Sequence, residues 1–388
     1  MRVTASKAGL ALLYCFLPAL AAGGAMGLPV FLCLAGLLAI RPSIFKQLFE
    51  TKSLFLVPLL LFCGWAAASS AWSPYESFEQ GAKLLVLLPL GLLCVAAASA
   101  GADHGLMRGL GPAAFVVLAL LLVVEALWEL PLNRAANPDI PPHEVVRNVN
   151  RGAAVVLALT WGAAAALLTS GRRLAALAVV LASAGLALPF GLWANLGAFV
   201  LGLAVFALAY LAPRIAIWAV SGGLAFWMLA APFLTPLILA NQRLVDALPL
   251  SWAARAGIWD YVCARILEQP WIGHGIDASR AVTDRIQVRE LDIRAVQLHP
   301  HSASLQIWFE TGAIGAVLAG AALLLGGAAL SRAFRNNRPG AAAAAATLAS
   351  LGLIANLSFG IWQEWWIATM FIAAALVGAL AEPRPAER

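Results

Sequence analysis

The chain has few charges, few cysteines and no apolar–polar alternation in the manner of an outer-membrane barrel strand. Charged residues fill 11% of its 388 positions, against about 25% in a soluble domain. Together with 62% hydrophobic residues and a mean hydropathy of +0.87, that deficit excludes an ordinary soluble enzyme or a nucleic-acid-binding module. The lack of period-two alternation excludes an outer-membrane barrel. The five cysteines, Cys15, Cys33, Cys63, Cys94 and Cys263, include no C-x-x-C pair, which removes the zinc and dithiol signatures. Only Cys263 lies in a large loop, so no loop disulfide is expected within the chain. The acidic residues form no aspartate-rich metal motif.

What is present is apolar sequence in runs of the length that a bilayer demands, roughly 17–25 residues. The expected fold is an all-α integral membrane bundle of about twelve transmembrane helices, near 8–24, 26–40, 54–71, 83–101, 110–130, 152–170, 174–190, 195–212, 215–239, 302–330, 341–359 and 364–381. Arg2, Lys7 and the small residues Ala21-Ala22-Gly23-Gly24-Ala25 imitate a cleaved signal peptide. A second apolar run follows at once, so the first segment reads as a retained helix. The chain then divides into spans one to nine (1–240), a large arginine-rich loop (241–301), and the last three spans with a tail (302–388).

Charge sidedness orients the bundle. With both termini on one side, that side carries Arg2, Lys7, Arg41, Lys46, Lys52, Arg108, Arg172, Arg173, Arg214, Arg332, Arg335, Arg338, Arg384 and Arg388. The short loops opposite carry Lys83, Arg134, Arg147 and Arg151. The positive-inside rule makes the first side cytoplasmic and turns the 241–301 loop outward. In that loop a helix is expected over 251–268, stopped by Pro270, then a turn at Gly273-His274-Gly275 and a polar helix over 278–297. A second outward segment, 131–151, is rich in Pro and Asn. Trp362, Trp365 and Trp366 read as an interfacial aromatic belt.

The loop holds seven arginines and no lysine: Arg243, Arg255, Arg265, Arg280, Arg285, Arg289 and Arg294. The planar guanidinium fork matches phosphate oxygens, although seven acidic residues in the same loop offer internal partners instead. Arg147 and Arg151, four residues apart, share one helix face and suit either an outer-leaflet phosphate or interfacial anchoring. His301 follows Pro300, and a helix starting near Ser302 would direct its N-terminal N–H groups toward an anion. A neutral imidazole there, with an ordinary pKa of about 6.5, could accept a proton; an interfacial structural histidine is the alternative. His274 reads mainly as a turn residue. Glu310, inside the tenth span, would be costly facing lipid and is expected toward the bundle or the interface. Gly312, Gly315 and Gly320 are expected to allow close helix packing.

Three elements in order resemble the signature region of the O-antigen ligase and polymerase superfamily. They are Arg255-Ala-Gly-Ile-Trp259, Pro270-Trp-Ile-Gly273-His-Gly275, and His299-Pro-His301-Ser302 with Gly312 and Gly315. The last matches the ligase pattern His-[Asn/Ser/Gln]-x9-Gly-x2-[Gly/Thr/Tyr] at each defined position. The resemblance implies an inner-membrane glycosyltransferase resembling the type C class, with termini in the cytoplasm and its site at the periplasmic face. It implies transfer of polysaccharide from undecaprenyl diphosphate to a lipid A–core sugar, with inversion and without metal, nucleotide or other cofactor. On this likeness His301 is the general base and Arg255 binds the diphosphate. A Ser-Arg-Gly element common in relatives is replaced here by Asn195-Leu196-Gly197, so Arg147, Arg151 or Arg265 is expected to supply the second cation. Besides donor, acceptor and membrane lipids no partner is implied, and no nucleic acid.

Two rivals remain. An O-antigen or exopolysaccharide polymerase shares the signature, but polymerases usually carry two substantial arginine-bearing outer loops. A transporter would place charges or broken helices at the midplane, whereas the polar residues here gather at the outer face.

Overall fold

The computed structural model describes residues 4–50, 54–100, 104–189 and 192–381. Arg2, Lys52, Arg384 and Arg388, counted above for sidedness, lie outside the described residues, as do the ends of the spans expected over 83–101 and 174–190. The described chain opens with a hairpin of α1 (Ala5–Ala22) and α2 (Leu28–Leu38), then the short α3 (Pro42–Glu50), α4 (Leu56–Ala68), α5 (Phe78–Ala98) and α6 (His104–Leu127). A one-turn-and-a-half α7 (Pro131–Ala136) leads into α8 (Pro142–Thr169), α9 (Arg173–Ala187), α10 (Trp193–Leu211) and α11 (Pro213–Leu239). The large loop contributes α12 (Gln242–Ala247) and α13 (Leu250–Ile266), and α14 (Ala303–Ala333), α15 (Arg338–Leu357) and α16 (Glu364–Gly378) follow it.

Eight helices are long and apolar enough to cross a membrane: α1, α5, α6, α8, α10, α11, α14 and α15. The other four expected spans are shorter apolar helices, α2, α4, α9 and α16. At 1.5 Å per residue, the 11 residues of α2 cover about 17 Å, short of the ~30 Å hydrocarbon core. Of the about twelve expected spans, eight are therefore helices of membrane-crossing length among the described residues. α8 is apolar on all sides after its first turns and is the most enclosed of them, with 89% of its apolar stretch buried; it packs against α1, α6, α9, α15 and α16. Leu174, Leu211, Ile215, Phe226 and Leu237 point outward, as lipid-facing positions do.

Three expectations give way to the structure. α8 begins ten residues before 152, because Pro141 and Pro142 preset the φ of a first helical turn and the outward segment is wound into helix. No helix covers 278–297. A 3₁₀ turn at Ala278–Ala281 is followed by a hairpin of β1 (Arg285–Val288) and β2 (Leu291–Arg294), with Val288 opposite Leu291. The β-branched Ile286, Val288 and Ile293 favour a pleated surface, and Arg289 at φ 54° makes the two-residue turn. Trp362, Trp365 and Trp366 form no lipid-facing belt: they are 3%, 2% and 0% exposed.

The first span after the loop is also broken. α14 is two helices joined at Gly312, whose φ of 67° and ψ of −168° lie in a region reserved for glycine. Gly312 thus opens the helix rather than tightening its packing, while Gly320 lies in contact with Leu229 of α11. Into the break lies the loop segment Pro270–Gly275. His274 and Gly275 donate to the carbonyls of Phe309 and Glu310, both at 2.8 Å, and Ala313 donates to Pro270 O at 2.8 Å. Trp65 Nε1 from α4 meets Thr311 O at 2.9 Å. The backbone groups freed by the kink are satisfied by the loop, as apolar surroundings require.

Candidate active site

Trp259, one turn after Arg255 on α13, donates to Pro300 O at 2.8 Å and pins the approach to His301. His301 adopts φ 55°, a left-handed angle uncommon for a side chain of its size. Ser302 then caps α14, accepting from Leu305 N at 3.5 Å, and Asn356 of α15 accepts from Ser304 N at 3.1 Å. The helix start expected near His301 and Ser302 is thus found, with Ser302 as its N-cap.

The two imidazoles have opposite roles. His301 Nδ1 lies 2.6 Å from Ser358 O; a carbonyl only accepts, so Nδ1 carries the proton and Nε2 keeps its lone pair. His299 Nδ1 accepts from the His301 backbone N–H at 3.2 Å, which leaves the proton on its own Nε2. The rings meet edge to face with centroids 4.5 Å apart. Burial pushes the His301 imidazole below its ordinary pKa, aided by the Arg255 charge and opposed by the bond to Ser358. Burial, His301, Arg280 and Arg255 push His299 down to about 3. At neutral pH the pair presents one acceptor and one N–H donor.

Arg255 is half-buried, its guanidinium 4.8 Å from the Trp252 ring centroid, and among the described residues it has no carboxylate partner. Arg280 was not singled out among the loop arginines of the sequence, yet its charge reaches His299. It stacks 5.8 Å from the Tyr75 ring centroid, and its Nε lies 3.3 Å from an Asp277 carboxylate oxygen. Its backbone carbonyl accepts from Arg294 at 2.9 Å.

The remaining candidate arginines are placed differently. Arg151 sits within α8, 5.6 Å from the Trp365 ring centroid and 3.4 Å from Gly24 O. Trp365 packs edge-on against Phe359, the residue after Ser358, so Arg151 borders the turn that holds His301. Arg147 is exposed and bridges Glu144 at 3.1 Å. Arg265 bridges Glu268 at 2.9 Å, and its carbonyl contacts His274 Nε2 at 3.1 Å, a turn role for that histidine.

Glu310 binds these segments together. It is fully buried and accepts from Asp277 N at 2.9 Å, Ser279 N at 3.4 Å, Ser279 Oγ at 2.5 Å, Gln306 Nε2 at 3.3 Å and Trp362 Nε1. Gln306 Oε1 in turn accepts from Ile361 N at 3.0 Å. The turn bearing Arg280 and the 358–362 turn bearing Ser358 are therefore both tied to one carboxylate on α14. Sequence spacing could place Glu310 toward the bundle, but not disclose donors 31–52 residues away.

Residues 154–320 match the family model described as O-antigen ligase. Over this stretch, less than half of its length, the chain is similar to the O-antigen ligase family. A candidate polysaccharide ligase of Rickettsia conorii is 29% identical over 245 residues, 61% of this chain and 58% of that protein. One from Rickettsia felis is equally similar over 61% of this chain and 59% of its own length. A third, from Rickettsia prowazekii, is 25% identical over 84% of this chain and 80% of its length. The chain thus spans less than two thirds of the first two relatives. No solved structure matches it.

Proposed function

We propose that this chain is an O-antigen ligase, transferring a polysaccharide from undecaprenyl diphosphate to a hydroxyl of a lipid A–core sugar at the periplasmic face of the inner membrane. The observation that carries this reading is the tautomer of His301: its Nε2 lone pair is free of any partner among the described residues, with the Arg255 charge acting on its ring and the Arg280 charge on the adjoining His299. In the proposed step the acceptor hydroxyl gives its proton to Nε2 and its oxygen bonds to the anomeric carbon. The bond from that carbon to the diphosphate oxygen breaks, and its electron pair leaves with the diphosphate. Attack opposite the leaving group inverts the anomeric centre. Arg255 and Arg280 stabilise the charge gathering on the diphosphate, and His299 Nε2–H can donate to the same oxygens. Arg280 then takes the place that the absent Ser-Arg-Gly arginine leaves, with Arg151 at the rim; Arg147 and Arg265, each already paired with a glutamate, contribute less. An apolar cleft of about 580 Å³ beside Trp259, Ser302 and Leu305 suits the polyprenyl chain.

The test compares a deletion strain with strains restored by wild type or His301→Ala. The ligase reading expects long polymer retained on undecaprenyl diphosphate and lost from lipid A–core in the deletion and in His301→Ala. Single repeats alone on the carrier would mean a polymerase. Full capping by a normally expressed His301→Ala would remove the base assignment.

A further inference from the structure

A second and larger cavity, about 1390 Å³, runs between α4 and α5 on one side and α14, α15 and α16 on the other. It exceeds the ~300–1,000 Å³ of drug-sized ligand sites. One end lies under the catalytic turn, at Ala303, Ser304 and Asn356; the other lies at Ser43, Lys46, Ser99 and Arg332. Its lining residues on α14 run from Ala303 to Arg332, across the break in that helix, a length that spans the ~30 Å hydrocarbon layer. Its middle is walled by Leu92, Leu323, Leu348 and Phe371. Void of that size inside an apolar bundle forfeits the dispersion contacts of its lining atoms, and in a bilayer acyl chains are the material at hand to restore them.

We propose that this cavity is a seat for one anionic phospholipid, with its phosphate at Lys46 and Arg332 and its acyl chains extending toward Asn356. The polarity of the cavity selects this occupant over the reaction's donor. A lipid whose diphosphate lies beside His301 has its charge at the Asn356 end, whereas the cationic side chains lining this cavity are at the far end. Basic pockets between membrane helices are where acidic head groups bind. The chain ends would press beneath Asn356, whose carboxamide oxygen accepts from Ser304 N and lies 3.5 Å from the Ser302 hydroxyl. An occupied seat thus supports the floor of the turn that carries His301. The cavity and its basic end stand apart from the reaction proposed above, whereas the exclusion of the donor as occupant rests on that reading.

Gly326 supplies the test. It lines the cavity, and a Cβ on it meets nothing within 4 Å, so Gly326→Leu fills the space without displacing backbone. Protein purified from membranes is examined by native mass spectrometry, with its released lipids identified. Its unfolding midpoint is compared in nanodiscs of phosphatidylcholine with and without phosphatidylglycerol. The expected result is one retained anionic phospholipid per chain and a midpoint raised by phosphatidylglycerol. Both are lost in Gly326→Leu, and the preference for acidic lipid is lost in the Lys46→Ala/Arg332→Ala double variant. Retention of an undecaprenyl lipid that Gly326→Leu removes would overturn the proposal by assigning the cavity to the donor. Absence of retained lipid in wild type, or retention unchanged by Gly326→Leu, would overturn it as well.

Discussion

His301 Nδ1 and the carbonyl oxygen of Ser358 lie 2.6 Å apart, and this contact decides which nitrogen of the ring is basic. Burial first, and the Arg255 charge after it, hold the imidazole below its ordinary pKa. A base is active when deprotonated, so a lowered pKa extends activity toward acid. The acid limb of kcat/KM should therefore fall below pH 6.5, leaving a flat profile from there through neutrality. Arg255→Gln removes one lowering charge and should shift that limb upward, separately from any change in donor KM. An acid limb at or above pH 6.5 in wild type would contradict the environment described for His301.

Arg280 is preassembled between Asp277 and Tyr75. A hydrogen bond to a charged group contributes about 1.5–3 kcal/mol, so Arg280→Ala should cost roughly 10- to 100-fold in kcat/KM, mostly through the lipid-linked donor. Arg280→Lys keeps the charge but not the fork and should recover part of it. Arg265→Ala, which breaks an exposed pair with Glu268, should change the rate less than about fivefold, since such pairs contribute about 0–1 kcal/mol. Equal losses in Arg265→Ala and Arg280→Ala would remove the distinction between them.

Much of the site was legible in local pattern, and little of its support. The helix expected over 251–268 is α13, because apolar periodicity and Pro270 mark it without help from distant residues. The pattern from His301 to Gly315 located the helix start and the histidine proposed above as the base. Its partner Ser358 is 57 residues away, and no spacing rule links the two. The 278–297 segment was misread because its alternation of Arg, Asp and aliphatic residues fits a polar helix as well as a hairpin; pairing of β1 with β2 and the donors to Glu310 settle the matter in three dimensions. Arg280 could not be singled out from six other loop arginines, since what distinguishes it is its neighbour His299. The prolines at 141 and 142 suggested loop, whereas they begin α8.

Glu310 receives five hydrogen bonds without exposure to water. Glu310→Ala strands the donors of Asp277, Ser279 and Trp362 in an apolar interior, and each buried donor left unsatisfied costs about 1–3 kcal/mol. Thermal unfolding in detergent should show a large fall in midpoint for Glu310→Ala and a smaller one for Glu310→Gln, which keeps an acceptor oxygen. If the two variants unfold with wild type, the carboxylate does not tie the Arg280 and Ser358 turns together.

Gly312 offers the sharpest separation of helix packing from loop docking. At φ 67° and ψ −168° a side chain is strained by backbone geometry alone, at about 1–3 kcal/mol. A Cβ there would also overlap the Trp271 carbonyl, so Gly312→Ala must push the Pro270–Gly275 segment out of the break in α14. With that segment go the bonds from His274 and Gly275 to Phe309 and Glu310, and with them the placement of Arg280. Limited proteolysis should cut the 268–285 region of Gly312→Ala faster than that of wild type, and ligation should fall at least tenfold. Gly326→Ala, on the same helix with open space around its Cβ, should change neither. Resistance of the Gly312→Ala loop to protease would show that the break in α14 is not held open by the loop lying in it.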